Sequence, residues 1–552
     1  MQSALRFGRD RLGRDRLGLL HIGLRRIGLR RIGPTLAIAL LSTACGEQRS
    51  APAPGPAGPT PTVRESPPPA VSGAPRPADP LIDYSEVAGK VSFLTTTAQE
   101  LREAKANIDP FLSSALPSPP KSVYDGPLFE LRRDYPKVLP AAVAFPWQAV
   151  TGKGPITQQN AARYVEALKQ YVGPDMRRLI DDYASWRPQQ EPWWESIWIG
   201  TEREPIRGFY VGSGFPAGTL TDQTFDLTTY VLTLYDARAA KTLGDIWGTT
   251  LDTAKRPTIT PATTQYAEGS VIVKFAFVTP CGADWSPMEG AATWQIYAPL
   301  NSSNGSGSSP SRSRCPMNGS DATPTEPALT NVYLMQFDMI VKDTVAAPKT
   351  GWVFSTLVYD KDAPGADAWD KMVPLGATWG GNPDVVNTDA SALTPPVTVN
   401  PALTENWINL DTPAYARSTL GWDGRLSGPN DGAVVTPAWA GSHYFPAGLA
   451  SAGCFGCHGS AQYPMTSFLL PSSSLPPQST APPLSSNSGA ASLVLPVPGS
   501  PEWMRWFQSR SGTTPQGPAT SDGGEPVALD YDMVTAFKAI PMWQAAMAAE
   551  AR

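Results

Sequence analysis

The sequence predicts an α+β chain: an N-terminal helical region, an antiparallel β-rich middle and a mainly helical C-terminal domain. Three observations predict it. The apolar period is helical over much of 81–200 and again near the C-terminus, and it changes to two between 201 and 400. No strand–helix alternation repeats along the chain, so the strands have no reason to be parallel. The 59 Pro and 48 Gly suit turns and β-structure, while 17 each of Trp, Tyr and Phe supply core material.

The elements follow in order. Residues 1–44 hold nine Arg and two Asp, ending in the apolar run Thr35–Leu41 and then Ser42-Thr43-Ala44-Cys45. Such an arrangement is expected of an export signal. Small residues ahead of Cys45 resemble a bacterial lipoprotein cleavage site, which would lipidate Cys45; ordinary cleavage near Ala44 is the alternative. Residues 45–80 are a Pro-rich tether, with eleven prolines between 52 and 80. A tether of this kind stays extended, with a reach of at most about 100 Å.

In the helical region, 81–200, Thr157 is positioned to cap a helix with apolar positions Tyr164, Leu168, Tyr171 and Val172. Gly173-Pro174 is expected to end it, with a second helix over 175–183. Trp193, Trp194 and Trp198 read as core where helix meets sheet. In the β-rich region, 201–400, strands are expected at Phe225–Tyr235, Ser270–Thr279, Thr293–Ala298, Val332–Val341 and Trp352–Tyr359. Val271, Val273, Phe275 and Phe277 would share one face. The last region, 401–552, is turn-rich and ends in helices expected near 501–508 and 531–549.

Charge narrows the partners. The formal −5 of the whole chain becomes −12 once the net +7 of residues 1–44 is removed. A chain that acidic is unsuited to nucleic acid or to anionic membrane surfaces, so membrane contact is expected only through an N-terminal lipid.

The chemistry concentrates in Cys454-Phe455-Gly456-Cys457-His458. Two thiols and an imidazole on one helical turn match the needs of covalent haem: two thioether bonds from Cys454 and Cys457, and an axial nitrogen from His458. Structural zinc usually takes two Cys/His pairs, and besides the motif only Cys281, Cys315 and His443 remain after the signal, which makes it a poor rival; a redox dithiol lacks its βαβ setting. One covalent haem c is therefore the expected cofactor, and 401–552 is expected to be a cytochrome c-like haem domain. Cys281 and Cys315 remain as a candidate disulfide closing the Ser/Gly-rich loop 301–313, with two buried thiols as the alternative. For the distal iron position Met504 lies 46 residues beyond His458, a separation suited to a long returning loop. His443 is a lesser candidate, Met533 another, and Met465 stands too close to pass the porphyrin edge.

Several stretches resemble a family of large exported bacterial proteins of unknown function that carry one c-type haem motif near the C-terminus. They are REPIRGFYVG (203–212), GWVFSTLVYDKDAPGADAWDKMVPLGATWG (351–380), LGWDGRLSGPND (420–431), CFGCHGSAQYP (454–464) and GSPEWMRWFQ (499–508). The resemblance implies haem binding through Cys454, Cys457 and His458, and implies no substrate. Three functions stay open at this level. The first is a monohaem electron carrier with an unidentified redox partner, in the periplasm or at the outer membrane. The others are a haem enzyme of peroxidase or oxidase type, and a β-rich binding module with haem as redox sensor.

Overall fold

The structure, a computed structural model, describes residues 109–141, 144–215, 218, 220–224, 227–279, 285–298, 327–387, 389, 397–430, 453–464, 504, 507–515 and 525–550. The signal, the tether, Cys45, Cys281, Cys315, His443 and Met465 lie outside the described residues.

In chain order the described elements begin with helices α1 (Pro146–Val150) and α2 (Ala161–Asp181), then strands β1 (Trp193–Trp194), β2 (Tyr210–Phe215) and β3 (Leu227–Asp236). Helices α3 (Ala237–Trp247) and α4 (Leu251–Lys255) follow. Next come β4 (Val271–Val278), β5 (Thr293–Ala298), β6 (Ala328–Lys342), β7 (Trp352–Tyr359), β8 (Met372–Thr378) and β9 (Asn406–Ile408). The chain continues through α5 (Ala414–Arg417), α6 (Cys454–His458), β10 (Gln462–Tyr463) and β11 (Val527–Ala528). A π-helical turn, Thr535–Ala539, leads into α7 (Ile540–Glu550).

Among the described residues β1–β9 form one antiparallel sheet in the order β1-β3-β4-β6-β7-β8-β9. β2 pairs with β3, and β5 pairs with the first half of β6, whose second half pairs with β4. The α+β reading of the middle therefore holds. The predicted strands recur within a few residues of their expected bounds, and Thr293–Ala298 and Trp352–Tyr359 match them. The N-terminal helical part and the part after 400 do not stand off from this sheet, because β1 and β9, from either side of 201–400, are strands of it.

Alternation sorts the side chains onto two faces, and both are covered. Val271, Val273, Phe275 and Phe277 of β4 pack in one core with Tyr164, Leu168, Val172 and Met176 of α2. The opposite face presents a rung of Tyr235, Ile272, Ile340 and Phe354, directly paired across β3, β4, β6 and β7. That rung is covered by α3, Phe455, Tyr531 and the start of the C-terminal helix. Cover on both faces explains why all eight residues of β7 are buried.

Two helix expectations need correction. Pro174 does not end the helix: α2 runs through it to Asp181. A proline inside a helix costs about 3 kcal/mol, whereas each large apolar side chain buried contributes roughly 1.5–3. Met176, Leu179 and Ile180 lie beyond the proline and are all buried, so packing outweighs the break. The N-cap position is Asn160 rather than Thr157, and its side chain caps no helix amide; Asn160 Oδ1 accepts instead from the preceding Thr157 amide at 2.7 Å. Trp193 and Trp194 are core: their indoles are buried against Asp175 and Arg132 respectively.

Candidate functional site

The Cys454–His458 turn begins where the Cys454 amide donates to the Leu426 carbonyl at 3.0 Å. Within the turn Phe455 and Gly456 are buried, while Cys454, Cys457 and His458 are half-buried. Helical spacing at i, i+3 and i+4 is the cause, since it puts the three reactive side chains on one face and Phe455 on the other. Phe455 anchors the turn by packing edge-on to Phe354 and Tyr531, with ring centroids 4.9 and 5.3 Å away.

His458 is fixed from the opposite side. Its Nδ1 lies 2.8 Å from the Tyr531 carbonyl oxygen, and its ring packs on Phe354 at 4.6 Å. A carbonyl can only accept, so Nδ1 carries a proton, and in the neutral imidazole Nε2 then keeps the lone pair. That is the tautomer an axial iron ligand needs.

A short ribbon brings Tyr531 there. β10 follows the turn and pairs with β11, aligning Gln462 with Ala528 and Tyr463 with Val527. The Leu529 amide then donates to the Ala461 carbonyl at 3.0 Å. Asp530 and Tyr531 next adopt left-handed φ values of 47° and 68°. Two consecutive non-glycine residues in this region cost about 1–2 kcal/mol each, so the neighbours must hold the bend in place.

Both flanking carboxylates do so. Asp530 accepts from Lys342 Nζ at 2.7 and 2.8 Å, from Trp352 Nε1 at 2.7 Å and from the Tyr266 amide at 2.8 Å. Asp532 accepts from the hydroxyls of Tyr266 at 2.6 Å and Tyr235 at 3.0 Å, and caps the C-terminal helix through the Val534 and Thr535 amides.

The other side of the turn rests on residues 421–427. Arg425 stacks on Trp422 and Phe507 at 4.2 and 5.0 Å, and donates to the carbonyls of Gly381 and Asn382, both at 2.9 Å. Burial pushes its pKa down to about 9. The Cys454 thiol donates weakly to the Leu426 carbonyl at 3.4 Å. Thus Trp352 and Phe354, the 421–427 segment and Phe507, far apart in sequence, meet around the cysteine–histidine turn.

A cavity of about 40 Å³ beside His458 is lined by Thr233, Lys274, Ile340, Met533 and their neighbours. It has room for a water or so and not for a porphyrin. Both thiols and the imidazole lie on the half-buried side of the turn. The donor set itself suits haem c: two thiols three residues apart, and an imidazole with Nε2 unprotonated. Among the described residues no group of three or more His, Cys, Asp or Glu is placed to hold a metal ion, and no helix is long and apolar enough to cross a membrane.

Of the sequence candidates, the structure brings together Cys454, Cys457 and His458. Met504 is buried at 2% exposure and is not among the residues lining the His458 cavity, whereas Met533 is. Sequence reasoning missed Asp530, Tyr531, Lys342 and Arg425. An Asp ahead of a helical pattern could have flagged Asp532 as a cap, but nothing marks Asp530 or a backbone carbonyl. Comparison with protein-family models, curated proteins and solved structures finds no match to this chain.

Proposed function

We propose that this chain is an exported monohaem c-type cytochrome whose role is electron transfer. The observation that carries the reading is His458: its Nδ1–H is committed to the Tyr531 carbonyl, on a turn whose two thiols share its half-buried face. Cys454 and Cys457 would hold haem through thioether bonds and His458 Nε2 would bind iron. Bound in that way, haem supplies a one-electron couple at the iron. The chain's own contribution is to orient the imidazole, keep its second nitrogen protonated and seat the turn on a rigid sheet. Hydrogen bonding at Nδ1 makes the imidazole a stronger donor, which favours the oxidised metal.

In this reading the residues after 400 are the haem-bearing, cytochrome c-like part, built onto the shared sheet. The distal ligand would be Met504, by its sequence separation, with His443 the lesser candidate; Met533 lines the cavity beside His458 that is too small for a porphyrin, which counts against it. Lipidation at Cys45 would place the protein at a periplasmic membrane face, and Cys281–Cys315 would close its loop as a disulfide. Its partner is a redox protein of unidentified kind.

The test is expression with a c-type haem maturation system, followed by denaturing gel electrophoresis with haem staining. Covalent haem that is reduced to a single thioether in Cys454→Ala and absent from the double variant with Cys457→Ala is expected. A chain that leaves maturation without haem overturns the reading. Carbon monoxide separates carrier from enzyme: a reduced spectrum indifferent to it fits a six-coordinate carrier, while rapid binding with peroxide turnover points to an enzyme.

A further inference from the structure

We propose that Asp530 is a positioning residue for His458, acting through the Tyr531 carbonyl. The inference rests on the haem reading for its consequence and on geometry for its substance. The Tyr531 carbonyl reaches Nδ1 only because the backbone at 530 and 531 is held in the left-handed region. The Asp530 side chain, with no exposed surface, accepts four hydrogen bonds from three donors in the frame around it. Lys342 ends β6, Trp352 begins β7 and the Tyr266 amide precedes β4, so the bend is tied to the sheet and not to a loop.

A buried ion pair of this kind is weak evidence for stability, since removing both charges from water costs about as much as their attraction returns. Its distinctive effect is to fix a position. Crowding reinforces this: a Cβ on Gly512 would overlap the Asp530 carboxylate, so the carboxylate has one seat. Asp532 holds the far end of the bend through the Tyr235 and Tyr266 hydroxyls and caps the following helix, while Asp530 ties the bend's first residue to Lys342 and Trp352.

Weakening this clamp releases the bend, lengthens the Nδ1–H···O bond and makes the imidazole a poorer donor to the oxidised metal. Asp530→Asn is expected to keep covalent haem in normal yield while its reduction potential rises. Gly512→Ala, which displaces the same carboxylate, should shift the potential in the same direction. A purely structural role would lower the melting temperature and leave the potential unchanged.

A second readout needs no haem. The chain has three histidines, so with ¹⁵N-labelled histidine the His458 ring signals are assigned by their loss in His458→Ala. In the unloaded Cys454→Ala, Cys457→Ala chain His458 should show the single Nδ1–H tautomer; adding Asp530→Asn should give a mixture. An unchanged tautomer, or an unchanged potential in a haem-loaded Asp530→Asn protein, overturns the inference. Failure of the parent chain to take up haem overturns the functional reading instead, and leaves the tautomer measurement to decide the positioning role.

Discussion

Arg425 shows how much of the site depends on residues without reactive chemistry. Its guanidinium is buried between Trp422 and Phe507 and donates to two backbone carbonyls on the segment after β8. Arg425→Met keeps the stem but leaves those carbonyls without their donor, a loss of about 2–4 kcal/mol. Urea denaturation should show a lowered midpoint; an unchanged midpoint would mean that the shelf under Cys454 is held by other contacts. The thiols and the imidazole were legible in the sequence because each has chemistry of its own and a diagnostic spacing. The Tyr531 carbonyl was not. Every residue has a carbonyl, and this one matters only through a bend at 530–531 and a ribbon that closes 73 residues of chain.

At the scale of elements, α2 sets a local rule against packing. Pro174 is exposed and interrupts the helix's own hydrogen bonding, while the apolar stripe on either side is buried. Pro174→Ala is therefore expected to stabilise the fold by about 1–2 kcal/mol, read as a higher denaturant midpoint. Gly173→Ala next to it should not, since its methyl would lie 3.2 Å from Trp369 Nε1. The break expected at Gly173-Pro174 failed because helix propensity is local and the burial of Met176, Leu179 and Ile180 is tertiary. Strands were easier to read, since the sheet face imposes a period of two directly on the sequence.

The junction of β3 and α3 carries a pH dependence. Asp236 caps α3 through the Ala239 amide at 2.7 Å, and burial pushes its pKa up to about 7. A carboxyl raised in the folded state stabilises most below its unfolded value and loses that contribution as pH climbs through about 7. Glu195, also raised to about 7 by burial, acts in the same direction. Stability should therefore fall from about pH 4, the ordinary carboxylate range, to about pH 7. Asp236→Asn retains a capping oxygen and removes the charge, so its stability profile should be flatter and higher at pH 8. A wild-type profile that rises over this window would contradict the assignment.

For the molecule as a whole, the sheet is the common frame. Its first strand comes from residues 193–194 and its last from 406–408, and one face is covered by α2 while the other receives α3 and the C-terminal segments. A truncated chain of residues 201–400 would expose the apolar rung Tyr235–Ile272–Ile340–Phe354 and lose α2 from the other face. It is expected to aggregate or to lack the sharp thermal transition of the full chain, as measured by circular dichroism. Reading three successive regions from composition placed the strands well and missed this sharing, because periodicity reports which face is apolar and never what covers it.

The two-residue ribbon β10–β11 also orders events in time. A chain emerges from its N-terminus, so the Cys454–His458 turn is made well before Tyr531 can reach it. Until residues 527–531 dock, either ring nitrogen can carry the proton and the thiols stand on an unlocked segment. Docking of β11 beside β10 closes that interval and selects the imidazole tautomer.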